Sequence, residues 1–276
     1  MSDDPRAIES LETDLLLEGV FQRFGLDYRG YRRETVRRKL QVLMRQEGVQ
    51  TISGLQEKMM HDAPACQRLL LALGSRPAGL LADADRMFAL RRALVPWLRS
   101  CASPRVWVAE CASAEDVAGL AILLEEEGLH GKTQIFATTA CEAVLDDMRA
   151  CRFPAERLEE YAGNHLRSGG KGALSQYVAV RGGEAVFAEG LCSNVVWAQY
   201  SLATDASFNE FQLITCHGAL TEFGAPLRNR ALQLFHESMP MFGLLSVELA
   251  QEADLASFRC WYRPMNEGKD LYRRVA

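Results

Sequence analysis

The chain has no Cys-x-x-Cys pair and no His-x-x-x-His or His-Glu-x-x-His arrangement. It also has no apolar run near the roughly 18 residues that a membrane helix needs. Its eight cysteines, at 66, 101, 111, 141, 151, 192, 216 and 260, are scattered, and only Cys216-His217 sets a cysteine beside a histidine. Such spacing argues against a zinc site or a disulfide framework and for free, mostly buried thiols. The five histidines, at 61, 130, 165, 217 and 236, offer no two on one helix face at metal-ligand spacing, so a metalloenzyme is not expected. The N-terminus, MSDDPRAIES, is too polar and acidic for a secretory signal, which makes the cytoplasm the expected location and membrane insertion unexpected. Internal repeats and low-complexity tracts are missing as well. With 48% hydrophobic and 24% charged residues over 276 positions, the composition is that of a globular protein of one large domain or two smaller ones.

A net charge of −5 hides an asymmetry. Residues 1–100 carry 16 Lys/Arg against 13 Asp/Glu, and residues 101–276 carry 15 against 23. The basic excess is concentrated at 28–45, where Arg29, Arg32, Arg33, Arg37, Arg38, Lys39 and Arg45 face a single acid, Glu34. Such a run suits a solvated helix face, a dock for an acidic protein partner, or a grip on anionic phosphate. An acidic chain overall speaks against non-specific nucleic-acid binding.

Up to about residue 100 the apolar spacing is helical, as at Leu15, Leu16, Val20 and Phe21 and again at Val36, Leu40, Leu43 and Met44. Residues 1–75 read as an N-terminal helical domain and 76–100 as a linker helix, with the Gly74–Gly79 stretch as the loop between them. From 101 to 276 the texture is α/β. Strands are predicted at 105–109, 134–138, 195–200, 212–216 and 244–248, and helices at 115–127 and 226–237, an alternation that argues for a doubly wound, mostly parallel sheet. Two further runs, 176–180 and 185–189, flank Arg181-Gly-Gly-Glu184, whose glycines suit a tight hairpin.

In such a sheet the ligand crevice opens beyond the first strand, in a turn usually rich in glycine. Here that turn, Val108-Ala-Glu-Cys-Ala-Ser-Ala-Glu115, has none. Glu110 and Ala114 place Cβ atoms, and in one case a carboxylate, where a nucleotide would want space. The second strand ends in Thr138-Thr139 and so lacks the acid that accepts from ribose hydroxyls. Cys216 and His217, adjacent at a strand end, point to opposite faces and make a poor nucleophile–base pair.

Along nearly its whole length the chain resembles the CheR-type methyltransferases, which methylate glutamates on chemoreceptor helices using S-adenosylmethionine. The resemblance runs through the basic stretch Tyr28–Leu40, Trp107 and the Ala109–Glu115 turn (family W-S-A-G-C-S-T-G-E), and Ala137-Thr-Thr139 (A-T-D). It continues through Arg152-Phe-Pro154 (R-Y-P) and Phe211–Cys216 (F-D-L-I-F-C). It implies a Rossmann-like methyltransferase domain behind a helical one, with a small β-subdomain. Against the family's N-x-T-E-F-F-R-D, however, the chain has Arg76-Pro-Ala-Gly-Leu-Leu-Ala82-Asp83. Glu110 and Ala114 replace the turn glycines, Thr139 replaces the ribose-binding Asp, and Cys216-His-Gly-Ala219 stands for C-R-N-V. Of the family's polar contacts, Glu115 remains.

The expectation is therefore a non-catalytic relative with no cofactor, acting as a signalling adaptor or sensor. It would bind a signalling or chemoreceptor-type protein through Arg29, Arg32, Arg33, Arg37, Arg38 and Lys39. The alternative is an active protein-glutamate O-methyltransferase that binds S-adenosylmethionine with Glu115 as a contact. A third reading puts an anionic small ligand in the altered cleft, drawn by Arg76 if that side chain points inward.

Overall fold

The structure, a computed structural model, describes residues 5–249, 256–265 and 270–276. Four helices come first: α1 (Pro5–Phe24), α2 (Arg33–Glu47), α3 (Ile52–His61) and α4 (Ala63–Leu73). Local chemistry sets their ends. Gly48 closes α2 with a left-handed backbone (φ 70), Thr51 caps α3 by accepting from the Gly54 N–H at 3.0 Å, and Asp62 caps α4 ahead of Pro64. Their apolar stripes, among them Leu16, Leu17, Val20, Val36, Leu40, Leu43, Leu55 and Leu69, meet in one core.

Helix α5 (Ala84–Ser100), capped by Asp83, leads into β1 (Arg105–Val108), α6 (Ala114–Glu126), β2 (Gln134–Thr139) and α7 (Glu142–Arg149). Then come β3 (Arg152–Pro154), α8 (Leu158–Arg167), β4 (Val178–Arg181), β5 (Glu184–Phe187), α9 (Glu189–Cys192) and β6 (Val195–Gln199). The chain continues through β7 (Leu213–Cys216), α10 (Ala219–Glu222), α11 (Ala225–Glu237), β8 (Leu244–Val247), α12 (Ala256–Trp261), β9 (Tyr262–Pro264) and β10 (Leu271–Arg274). The main sheet has the order β6-β2-β1-β7-β8-β10-β9, parallel from β6 to β8.

Strand β1 shows why both faces are covered. Val106 and Val108 point into the core formed with α5, α6 and α8, and Trp107 points into the opposite core, which it shares with the helical domain. Trp107 is fully buried among Tyr200, Phe208, Phe211 and Phe235, and its Nε1–H donates to Thr138 Oγ1 at 2.8 Å.

Two differences from the sequence pattern stand out. Strands β9 and β10 add an antiparallel edge that the periodicity did not show, because each is short and carries arginine, Arg263 in one and Arg273 and Arg274 in the other. The Gly-Gly hairpin stands apart from the main sheet: β4 and β5, joined by Gly182 (φ 58) and Gly183 (φ 87), take β3 as a third strand.

The helical domain is tied to the sheet along one seam. Arg32 N–H donates to Glu222 O at 2.8 Å, Gly224 N–H to Gly30 O at 2.9 Å, and Tyr31 packs edge-on against Phe223. At its centre Lys39 Nζ donates to Leu73 O, Gly74 O and, at 2.5 Å, the Glu222 carboxylate. This corrects the expectation for Lys39. It is 4% exposed and holds two domains together, so it presents no charge to a partner.

Candidate functional site

Parallel order reverses between β1 and β7, since β1 runs outward to β2 and β6 on one side while β7 leads to β8 on the other. A crevice must open between their carboxyl ends, and one does. The turn after β1 (Ala109, Glu110, Cys111), Thr215 and His217 at the end of β7, the first turns of α6, and the 78–83 loop enclose a cavity of about 70 Å³. Gly79 in that loop has a left-handed backbone (φ 99), which a residue with a side chain would adopt only under strain.

Glu110 keeps the backbone of a glycine without being one. Its φ of 50 lies in the left-handed region, which costs about 1–2 kcal/mol for a residue with a side chain. Its carboxylate is buried, accepts from the Ala140 N–H, and shares a small void with Tyr28 and Tyr31 of the helical domain. Burial pushes its pKa up to about 7. Asp116, in the first turn of α6, accepts from the Ala112 and Ser113 N–H groups at 3.1 Å, yet burial raises it to about 6. Glu115, also buried, accepts from the Tyr161 hydroxyl at 3.2 Å and lines the cavity.

Across the opposite wall runs Arg86 of α5. Its Nη1 reaches Glu248 Oε1 at 2.9 Å and Asp83 Oδ2 at 3.5 Å, so one guanidinium bridges the linker helix and the segment after β8. The His217 ring donates to or accepts from Ser246 Oγ at 3.3 Å. Burial and then the Arg86 charge drive its pKa down to about 3, so the ring is neutral. Cys216 is buried on the other face of β7, with its thiol held well above the usual range. Sequence reasoning missed the Arg86 bridge. Its one local signal is the Asp83/Arg86 spacing, and Glu248 is too distant in the chain to suggest a partner.

The basic stretch is less open than its composition suggests. Arg29 stacks on Phe21 and pairs with Asp27 and Glu18, Arg33 pairs with Asp14, and Arg37 with Glu9 at 2.7 Å. The acids of α1 thus answer three of its seven cations. Arg32, Arg33, Arg37 and Arg38 remain exposed on α2 and its cap. Arg76 is exposed and is not part of the cavity wall. Among the described residues no group of His, Cys, Asp or Glu is arranged to hold a metal ion, and no helix is long and apolar enough to cross a membrane.

Residues 11–73 match the CheR methyltransferase all-alpha domain, and residues 81–256 match the CheR methyltransferase SAM binding domain. The chain belongs to the CheR methyltransferase family. Cher3 of Pseudomonas putida, a protein named as a methyltransferase, is 33% identical over 264 residues, spanning 96% of this chain and 97% of its own. A chemotaxis protein methyltransferase of Listeria monocytogenes is 24% identical over 246 residues, spanning 87% and 90%. Among solved structures, the N-methyltransferase NodS of Bradyrhizobium japonicum WM9 aligns with a TM-score of 0.36 at 10% identity, covering 68% of this chain and 97% of NodS.

Proposed function

We propose that this CheR-family chain works by binding rather than by methyl transfer, as an adaptor or sensor in a signalling pathway. The observation that carries the proposal is the crevice itself. Where the fold would seat a nucleotide-bearing cofactor, the first turn holds a buried Glu110 at a glycine-type φ, and the enclosed space is about 70 Å³. Ligand pockets for molecules of that size run to roughly 300–1,000 Å³. The residues present do not fit S-adenosylmethionine. The Arg86 bridge to Asp83 and Glu248 spans one wall, and Thr139, 4% exposed, offers no carboxylate for a ribose. The partner surface is the exposed face of Arg32, Arg33, Arg37 and Arg38. Its surface ion pairs are weak enough for an acidic helix to replace them.

One observation favours the second reading, an active protein-glutamate O-methyltransferase: Glu115 still faces the cavity. Calorimetric titration of the ligand-free protein with S-adenosylmethionine and S-adenosylhomocysteine at millimolar concentration separates the two. Absence of heat and of any thermal shift supports the binding role. Micromolar affinity overturns it and puts the enzyme first.

A further inference from the structure

The edge of an open sheet is a row of unpaired N–H and C=O groups, which a chain guards with charge or proline. The two sheets here end in β6, β9, β3 and β4. Three of these edges carry such guards: Arg263 and Pro264 in β9, Arg152 and Pro154 in β3, and Arg181 in β4. Strand β6 carries none. It reads Val195-Val-Trp-Ala-Gln199, and the chain has no charged residue from Gly190 to Thr204. The inner strands β7 and β8 are buried throughout, whereas β6 is half-buried from Val195 to Ala198 and exposed at Gln199.

The ladder with β2 shows which groups are open. Ile135 N–H donates to Asn194 O and Tyr200 N–H to Thr139 O, both at 3.0 Å, in a register that runs from Ile135↔Val195 to Thr139↔Gln199. In a parallel ladder this pattern turns the even-numbered residues of β6 toward β2, and the N–H and C=O of Val195, Trp197 and Gln199 outward. No other strand among the described residues lies beside them.

We propose that this edge pairs with the same edge of a second copy, so that two chains form one continuous sheet about a two-fold axis at Trp197. The strand is its own complement. In antiparallel order about that axis, Val195 stands opposite the second copy's Gln199, and Trp197 opposite its own counterpart. Every outward N–H then meets an outward C=O, and each residue pair exchanges both bonds. No charge lies on the strand or beside its ends, so the pairing sets no like charges against each other. Val195, Val196 and Trp197, half-buried in one chain, gain cross-strand neighbours of the β-branched and aromatic kind that suit a sheet. A second copy supplies an uncharged strand of matching length, which no other edge of this chain does. The pairing uses no residue of the crevice or of α2, so its test is separate from that of the binding role.

Sedimentation velocity of the full chain, from low to high micromolar concentration, should move the mass from 30.8 kDa toward twice that. Hydrogen exchange at the high end should slow at the Val195, Trp197 and Gln199 amides, which are open in the single chain. Val195→Lys with Gln199→Lys sets lysines opposite each other and should weaken dimerisation at least about tenfold, with the circular dichroism spectrum unchanged. Val195→Glu with Gln199→Glu should do the same, and mixing the two variants should restore a dimer of one chain of each. Gln199→Pro removes an outward N–H that serves nothing within the chain, so it should lower dimer affinity even if charge at Val195 unfolds the protein. The proposal fails if the chain stays monomeric at every concentration, or if it dimerises without protecting those amides. It also fails if the lysine and proline variants dimerise as the wild type does.

Discussion

The two charged regions of this protein behave in opposite ways. Along α2 and the segment before it, seven basic residues crowd eighteen positions, yet α1 supplies Glu9, Asp14 and Glu18 to meet three of them, all near solvent. Past the end of β1 the sequence shows only three acids, Glu110, Glu115 and Asp116. There the fold buries Glu110 against Tyr28 and Tyr31 and leaves Lys39, itself paired with Glu222, as the nearest compensation. A dense charge run in water is cheap, and a single buried carboxyl is not. The strongest electrostatics therefore lie where the sequence looks least charged.

Removing the compensation should have the largest effect. Lys39→Met strands the Glu222 carboxylate and two carbonyls at the domain seam, and urea unfolding should show a loss of about 3–5 kcal/mol. Adding Glu222→Gln should recover most of that loss, because the buried cost is that of an unpaired charge. If Lys39→Met costs no more than a surface substitution, the seam is not held by this pair.

The same contrast explains what could be read beforehand. The main strands and helices near 115–127 and 226–237 were legible because β1, β2, β6, β7 and β8 are short β-branched or aromatic runs, and a strand covered on both faces needs that composition. The location of the crevice was legible too, since it follows from where strand order reverses. Partners were not. Lys39 and Glu222 are 183 residues apart, and Arg86 and Glu248 162. Nothing in the local pattern of Arg37-Arg38-Lys39 tells the buried cation from the exposed ones. The helical phase does offer a signal in retrospect: Lys39 falls between Val36, Leu40 and Leu43 on the face that α2 buries.

Glu110 gives the next largest effect and a sign. Its folded pKa of about 7 lies above its ordinary 4.5, so the folded state holds the proton more tightly than the unfolded chain does. Stability from this group is intact below about pH 4.5, declines as pH rises, and is lost above about 7, a difference of about 3 kcal/mol at 1.36 kcal/mol per unit. Glu110→Gln, which can still accept from the Ala140 N–H, should match the wild type at pH 5 and exceed it by about 2–3 kcal/mol at pH 8. Glu110→Gly, which relieves the left-handed backbone and also removes the carboxyl, should add about 1 kcal/mol at pH 5 and about 3–4 kcal/mol at pH 8. Chemical denaturation at both pH values reads all three proteins, and an equal gain for Gln at pH 5 and pH 8 would remove the titration from the account.

Reversing charge on the open region should cost the fold least and test the docking role most directly. Arg33 and Arg37 are about half exposed, so Arg33→Glu and Arg37→Glu should each change stability by about 1 kcal/mol or less. On a labelled glutamate-rich helical peptide, fluorescence anisotropy should show the double reversal weakening binding at least tenfold, with wild-type affinity falling as salt rises. A peptide that binds both proteins equally would mean that the arginines serve only to hold α1, since internal pairing leaves them nothing to offer a partner. A peptide that binds only the wild type would mean that the surface pairs are exchanged on docking. That is what separates them from Lys39, whose pair cannot be exchanged without parting the two domains.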